Sequence, residues 1–107
     1  MRPALLGAAL LAGLVAGAAQ AHTPMLDCRM DGREIVCSPG FSDGSAAPGM
    51  EVRVYSYADE ILQKGVADGQ SRVRFVRPQG EFYIRFDPGH EAPAEFDHAD
   101  LPPAAGR

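Results

Sequence analysis

Leu26-Asp27-Cys28-Arg29-Met30-Asp31-Gly32-Arg33-Glu34-Ile35-Val36-Cys37 is the stretch whose reading decides the fold. Two turns compete at its centre. Asp31-Gly32 is a strong short hairpin signal, but it sets Cys28 opposite Ile35 and leaves Cys37 out of register. A turn on Gly32-Arg33 suits type II′, which takes glycine in its first central position. It pairs Asp31 with Glu34, Met30 with Ile35, Arg29 with Val36 and Cys28 with Cys37. The two cysteines then fall on a non-hydrogen-bonded pair, where facing side chains approach most closely. Leu26, Cys28, Met30, Ile35 and Cys37 share one face. This register predicts a β-hairpin closed by a Cys28–Cys37 disulfide, against the alternative of two free thiols. A zinc site is disfavoured, because nine residues separate the cysteines and no second pair exists.

Downstream, the period of the sequence is two. Ser38 to Gly49 reads as a loop, rich in glycine and proline. From Met50 the residues Met50, Val52 and Val54 fall on one face and Glu51, Arg53 and Tyr55 on the other. Glu60 to Val66 reads either as a weak strand, with Leu62 and Val66 inward and Lys64 intruding on that face, or as a short helix starting near Asp59. Ser71 to Val76 alternates with Val73 and Phe75 inward. Glu81 to Asp87 is the clearest strand, with Phe82, Ile84 and Phe86 on one side and Tyr83 and Arg85 on the other. Glu91 to Glu95 is polar and extended, and Phe96 to Leu101 reads as a short edge strand. Several short strands between turn signals, with no convincing helix, predict an all-β fold: a small antiparallel β-sandwich, Ig-like or transthyretin-like in kind, with one hairpin disulfide.

Upstream, Met1-Arg2 gives a positive start, an apolar run follows to about Ala19, and Ala19-Gln20-Ala21 is a small-x-small cleavage site. That order predicts a signal peptide over residues 1–21, a β-sandwich domain over 22–101 and a disordered tail over 102–107. A membrane anchor fits less well, because the run is short, Ala-rich and broken by Gly7, Gly13 and Gly17. The expected compartment is therefore periplasmic or secreted, with no membrane span after cleavage and oxidising conditions that favour the disulfide. Cleavage after Ala21 leaves 86 of the 107 residues and makes His22 the first. It also removes Arg2, taking the formal charge from −4 to −5. Such a balance argues against nucleic acid, which calls for clustered Lys and Arg. A domain this small buries only about 60% of its chain surface and gains from a cross-link.

From about Ile35 to His90 the order of features resembles the transthyretin-like, carboxypeptidase-regulatory-type β-sandwich. The residues that carry this are Gly44 to Pro48-Gly49 leading into Met50-x-Val52-x-Val54, then Asp68-Gly69, Val73 and Phe75, the Pro78-x-Gly80 turn, and Phe82-Tyr83-Ile84-Arg85-Phe86. The resemblance implies a fold and leaves the role open. A looser likeness is to small periplasmic accessory proteins of nickel, cobalt or copper handling. It rests on Ala21-His22, on Phe41-Ser42-Asp43-Gly44 and on Asp87-x-Gly89-His90. It departs from them at Thr23, where a second histidine would stand. This likeness implies a metal-handling accessory that works with a metal-transport or cell-envelope protein partner.

The residues themselves allow the same chemistry. An N-terminal His22 offers its α-amine and ring Nδ1 to one ion, and nitrogen donors completed by carboxylate suit tetragonal Cu(II) or Ni(II). The expected ligands are His22 first, then His90 and His98, with Asp87 and Asp97 as carboxylates. No catalytic residues are assigned: a nucleophile elbow is lacking, and a cysteine nucleophile contradicts the disulfide. The expected protein is thus not an enzyme. The alternative to metal handling is an interaction module that docks a partner protein or cell-surface glycan through Tyr55 and Tyr83, with Tyr57, Arg53, Arg72, Arg74 and Arg85 on the same surface.

Overall fold

A computed structural model describes residues 22–103. The signal-peptide reading of residues 1–21 and the tail beyond residue 103 lie outside the described residues. Seven strands are formed: β1 (Pro24–Asp31), β2 (Glu34–Phe41), β3 (Glu51–Ser56), β4 (Ile61–Val66), β5 (Val73–Val76), β6 (Phe82–Phe86) and β7 (Ala94–Asp97), followed by a 3₁₀ turn over His98–Asp100. They make two antiparallel sheets, one ordered β1-β2-β5 and the other β4-β3-β6-β7. None of the described helices is long and apolar enough to cross a membrane.

The hairpin forms in the disulfide register. Asp31 faces Glu34, Met30 faces Ile35 and Cys28 faces Cys37. Gly32 stands at φ +64° in the turn, and Arg33 does not take positive φ, as a type II′ turn requires. Cys28 and Cys37 are bonded with Cα atoms 4.1 Å apart, the spacing of a non-hydrogen-bonded pair.

β2 runs on through Ser38-Pro39-Gly40-Phe41, which the sequence suggested was loop. Proline is tolerated there for a reason set by the ladder. Two residues on from Cys37, Pro39 is again non-hydrogen-bonded toward β1, so an amide at this position would point to the β5 side. β5 ends its pairing at Cys37, so no ladder bond is lost. On that side the Pro39 carbonyl accepts the Ser71 hydroxyl at 2.6 Å, while Ser71 Oγ accepts the Ala47 amide at 2.9 Å.

The core lies between the sheets, where Ile35, Cys37, Val52, Val54, Phe82, Ile84 and Phe86 are wholly enclosed. Leu101 closes it at the C-terminal end, and Arg77 donates to the Pro102 carbonyl at 2.8 Å, so the expected tail begins with a held residue. The last strand starts at Ala94, two residues before the expected Phe96, and His98–Asp100 form the 3₁₀ turn instead of continuing it. Val36, on the outward face, is nevertheless buried: Arg29 and Arg74 stand directly opposite it on either side, and long arginine stems cover apolar neighbours.

The expected Glu60–Val66 segment forms a strand over Ile61–Val66, but with its faces exchanged from Gln63 onward relative to the expectation. The pairing of β3 with β4 slips between Val54 and Tyr55, leaving Leu62 as a bulge residue. Gln63 and Gly65 therefore sit opposite the buried Val54 and Val52, whereas Lys64 and Val66 sit opposite the outward Arg53 and Glu51. Leu62 and Val66 are exposed, and Lys64 intrudes on nothing. Gly65 is required by close approach of the two sheets. A Cβ there would lie 2.5 Å from Val73 Cγ2 and 3.0 Å from Phe75 Cε1. Beside it the Gln63 amide donates to the Val76 carbonyl (2.7 Å) and accepts from the Val76 amide (3.1 Å), so it satisfies the free edge of β5. Gly65→Ala is expected to destabilise the domain by about 1–3 kcal/mol through overpacking, despite the small gain alanine brings by restricting the unfolded chain. Urea unfolding checks this; a loss below about 0.5 kcal/mol would mean that β4 moves aside freely.

Candidate metal-binding corner and aromatic face

His22 and Thr23 extend the β1–β2 ladder. Ser42 donates its amide to the Thr23 carbonyl at 2.8 Å, and the Thr23 amide reaches Ser42 Oγ at 3.2 Å. The chain then turns tightly, with Gly44 N–H on the Phe41 carbonyl and Phe41 N–H on the Ser45 carbonyl. This turn fixes Asp43. Its Oδ1 accepts both the Ser45 hydroxyl (2.7 Å) and the Ser45 amide (2.9 Å), leaving Oδ2 toward His22, whose Nδ1 lies 3.1 Å away. The Asp43 carboxyl is held below its ordinary value, first by the Ser45 hydroxyl, then by the Ser45 amide, with a smaller contribution from His22. Both side chains are about half exposed. The His22 ring also sets its edge on Phe41 with centroids 6.0 Å apart, and Phe41 in turn meets Phe86 at 5.6 Å.

Those aromatic contacts show which expected ligands share a location. Phe86 ends β6, and Asp87-Pro88-Gly89-His90 follows it directly, so His22, Asp43, Asp87 and His90 belong to one end of the sandwich. Asp87 Oδ1 accepts the Gly89 amide at 3.0 Å and so shapes the turn that carries the exposed His90. Asp97 and His98 are at the other end. Asp97 pairs with Tyr83, and the His98 ring lies 5.4 Å from that of Phe82, at the start of β6. Four strand steps, about 13 Å, separate the two ends of β6. The expected five-residue ligand set is thus divided, and among the described residues no three His, Cys, Asp or Glu side chains come together.

At that far end two tyrosines are bound to carboxylates. Tyr57 donates to Asp97 Oδ1 at 2.5 Å and Tyr83 to Asp59 Oδ1 at 2.6 Å. These bonds push both phenols up to about 12, and the Tyr57 hydroxyl holds the Asp97 carboxyl down. Asp97 also caps the 3₁₀ turn through the Ala99 amide. Its partners here account for it structurally, without a metal.

Tyr55 and Tyr83 face each other across β3 and β6 on the solvent side of the four-stranded sheet, stacked at 5.2 Å with planes 13° apart. Arg85 lies over the Tyr55 ring at 6.0 Å. Arg53 and Arg85 share this face. Arg74, expected on it, is outward on the other sheet instead, where it pairs with Asp31 and Glu34, and Arg72 is exposed just before β5 of that sheet. Comparison with protein-family models, curated proteins and solved structures finds no match. The side chains themselves therefore carry the functional argument.

Asp43 is the residue beside His22 that the expected ligand set did not include. It stood in the stretch Phe41-Ser42-Asp43-Gly44, but only the ladder extension through Thr23 and Ser42 brings it to His22.

Proposed function

We propose that this protein is a periplasmic or secreted metal-handling accessory without catalytic activity, which binds Cu(II) or Ni(II) at the corner formed by His22 and Asp43. The observation that carries this reading is the 3.1 Å separation of His22 Nδ1 and Asp43 Oδ2 at an exposed end. Two donors bound side by side to an ion at about 2.0–2.1 Å stand about 2.8–3.0 Å apart, so the pair fits an ion with little rearrangement. A chain beginning at His22 adds its α-amine, which forms a chelate with the same imidazole. Asp87 and His90, which follow β6 at the same end, are the remaining expected donors. His98 and Asp97 drop out of the set. A bound ion would hold the amino terminus against the Phe41–Ser45 turn and present open positions for transfer to a transport or envelope partner.

The test is calorimetric titration of Cu(II) and Ni(II) into the chain beginning at His22, beside the same chain with one glycine added before it. One-to-one binding with a Kd below about 1 µM, equivalent to about −8 kcal/mol, is expected for the first and not for the second. Asp43→Asn should weaken binding about tenfold or more, and His98→Ala should leave it unchanged. Equal weak binding by both chains would overturn the assignment.

A second reading is favoured by the stacked Tyr55–Tyr83 pair, which suits a module docking a partner protein or cell-surface glycan. Tyr83→Ala would then abolish retention on the partner, while His22 replacement would leave it intact.

A further inference from the structure

Three sheet edges are closed within the chain. β1 and β7 close against each other on one side of the sandwich. On the other side the Gln63 side chain takes both backbone groups of Val76, and Asp68 exchanges hydrogen bonds with Arg72, which covers both ends of β5. Among the described residues, β4 is the edge left open. It carries the exposed Ile61, Leu62 and Val66, and its sole charge is Lys64.

The phase of the β3–β4 ladder shows which backbone groups face outward. The Ala67 amide donates to the Met50 carbonyl at 2.9 Å, in hydrogen-bonded phase. Alternation then makes Val52–Gly65 a hydrogen-bonded pair and Glu51–Val66 and Arg53–Lys64 non-hydrogen-bonded ones. The amides and carbonyls of Lys64 and Val66 therefore point away from β3, toward the open edge. The bulge at Leu62 puts the residues before it out of phase, so a regular new ladder is confined to Lys64, Gly65 and Val66.

We propose that β4 pairs antiparallel with β4 of a second copy of this chain, about a two-fold axis at Gly65. The outward groups admit three registers. Lys64 on Lys64 sets like charges face to face, which destabilises a sheet. Val66 on Val66 needs Lys64 opposite Asp68, whose amide and Oδ1 are held in its own turn by Arg72 and Gln70. Lys64 on Val66 remains. Gly65 then faces Gly65, and no side chain obstructs the axis on the inner face.

Charge favours the same register. Val66 lies between Glu51 on its own β3 and Lys64 of the second copy. Strands about 4.8 Å apart place that lysine and Glu51 about 10 Å apart at Cα, within reach of two long side chains, with the lysine stem over Val66. Glu51 holds Arg53 through Oε1, which leaves Oε2 for the lysine. In one chain alone Lys64 faces the like charge of Arg53, and pairing adds a carboxylate. A bulge and a lysine restrain open-ended edge pairing; here they fix a short register that two-fold symmetry closes at the dimer.

The experiment is sedimentation equilibrium of the chain beginning at His22, with a chelator present so that metal does not link copies. Concentrations from about 5 to about 500 µM bracket a weak association. A reversible dimer with a Kd of about 10–100 µM is expected, since so short a pairing falls at the small end of specific interfaces. V66K sets cations against Lys64 and should weaken the dimer about tenfold or more. V76K changes a side chain just as exposed, on the covered β5, and should leave it unchanged. The Glu51–Lys64 pair occurs twice in the dimer, so K64E should weaken it about tenfold, and E51K/K64E, with the original net charge, should recover most of that loss. All the altered side chains are exposed, so the fold is retained. Protein that stays monomeric throughout, equal weakening by V66K and V76K, a double variant as weak as K64E, or association that runs on past the dimer would each overturn the proposal.

Discussion

Phe86→Ala is expected to cost about 3–5 kcal/mol, the range for removing a fully enclosed phenyl group. Phe86 has no exposed surface and ends β6, where it packs in the core and meets the Phe41 ring at 5.6 Å. Deleting it leaves a cavity between the sheets that β-sheet backbones on both sides cannot collapse to fill. A domain of this size has a total stability of about 5–15 kcal/mol, so much of it is lost. The urea midpoint should fall sharply with the slope unchanged. A further effect separates this position from Phe82, which is equally buried at the other end of the strand. Phe41 rests on Phe86, and His22 rests on Phe41, so Phe86→Ala loosens the corner that holds Asp43 against His22. On the metal-handling proposal, metal affinity measured below the unfolding transition should drop in Phe86→Ala and stay the same in Phe82→Ala. A loss of under 1 kcal/mol would show that this end of the core is loosely packed.

Much of this architecture was legible in the residues, for identifiable reasons. The hairpin register followed because side-chain alternation and the cysteine pairing both selected the Gly32-Arg33 turn. β3, β5 and β6 followed because Val52/Val54, Val73/Phe75 and Phe82/Ile84/Phe86 alternate with polar residues over a buried face. The faces of β4 did not follow, since a single bulge at Leu62 reverses the faces of Gln63 to Val66 and no local signal marks a bulge. β2 ran past its expected end because proline was read as a breaker, whereas its missing amide faces the side where β5 has already stopped. The candidate sites were the least legible. Which histidines share an end depends on strand direction: His90 follows β6 and His98 lies beside its start, a distinction invisible until the sheet is ordered.

Loss of the Cys28–Cys37 bond is expected to lower stability by about 2–3 kcal/mol, from closure of a ten-residue loop in the unfolded chain. β1 depends on this bond more than its length suggests. It is the edge of the three-stranded sheet, pairing only with β2, and it contributes Leu26, Cys28 and Met30 to the core. Two comparisons separate the cross-link from the packing of its sulfurs. Reduction keeps both sulfur atoms, so its effect reports the cross-link; Cys28→Ala with Cys37→Ala also removes buried atoms and should cost about 1–2 kcal/mol more. Urea midpoints of the three forms provide the measurement, and equal midpoints for oxidised and reduced protein would sink the account. The consequence extends to the corner proposed to bind metal. His22 and Thr23 are held by the continuation of the β1–β2 ladder to Ser42, so fraying of β1 withdraws the imidazole from Asp43. Reduction should therefore weaken metal binding even at temperatures where the remaining strands stay folded, which would make the cross-link a condition for the site as well as a support for the fold.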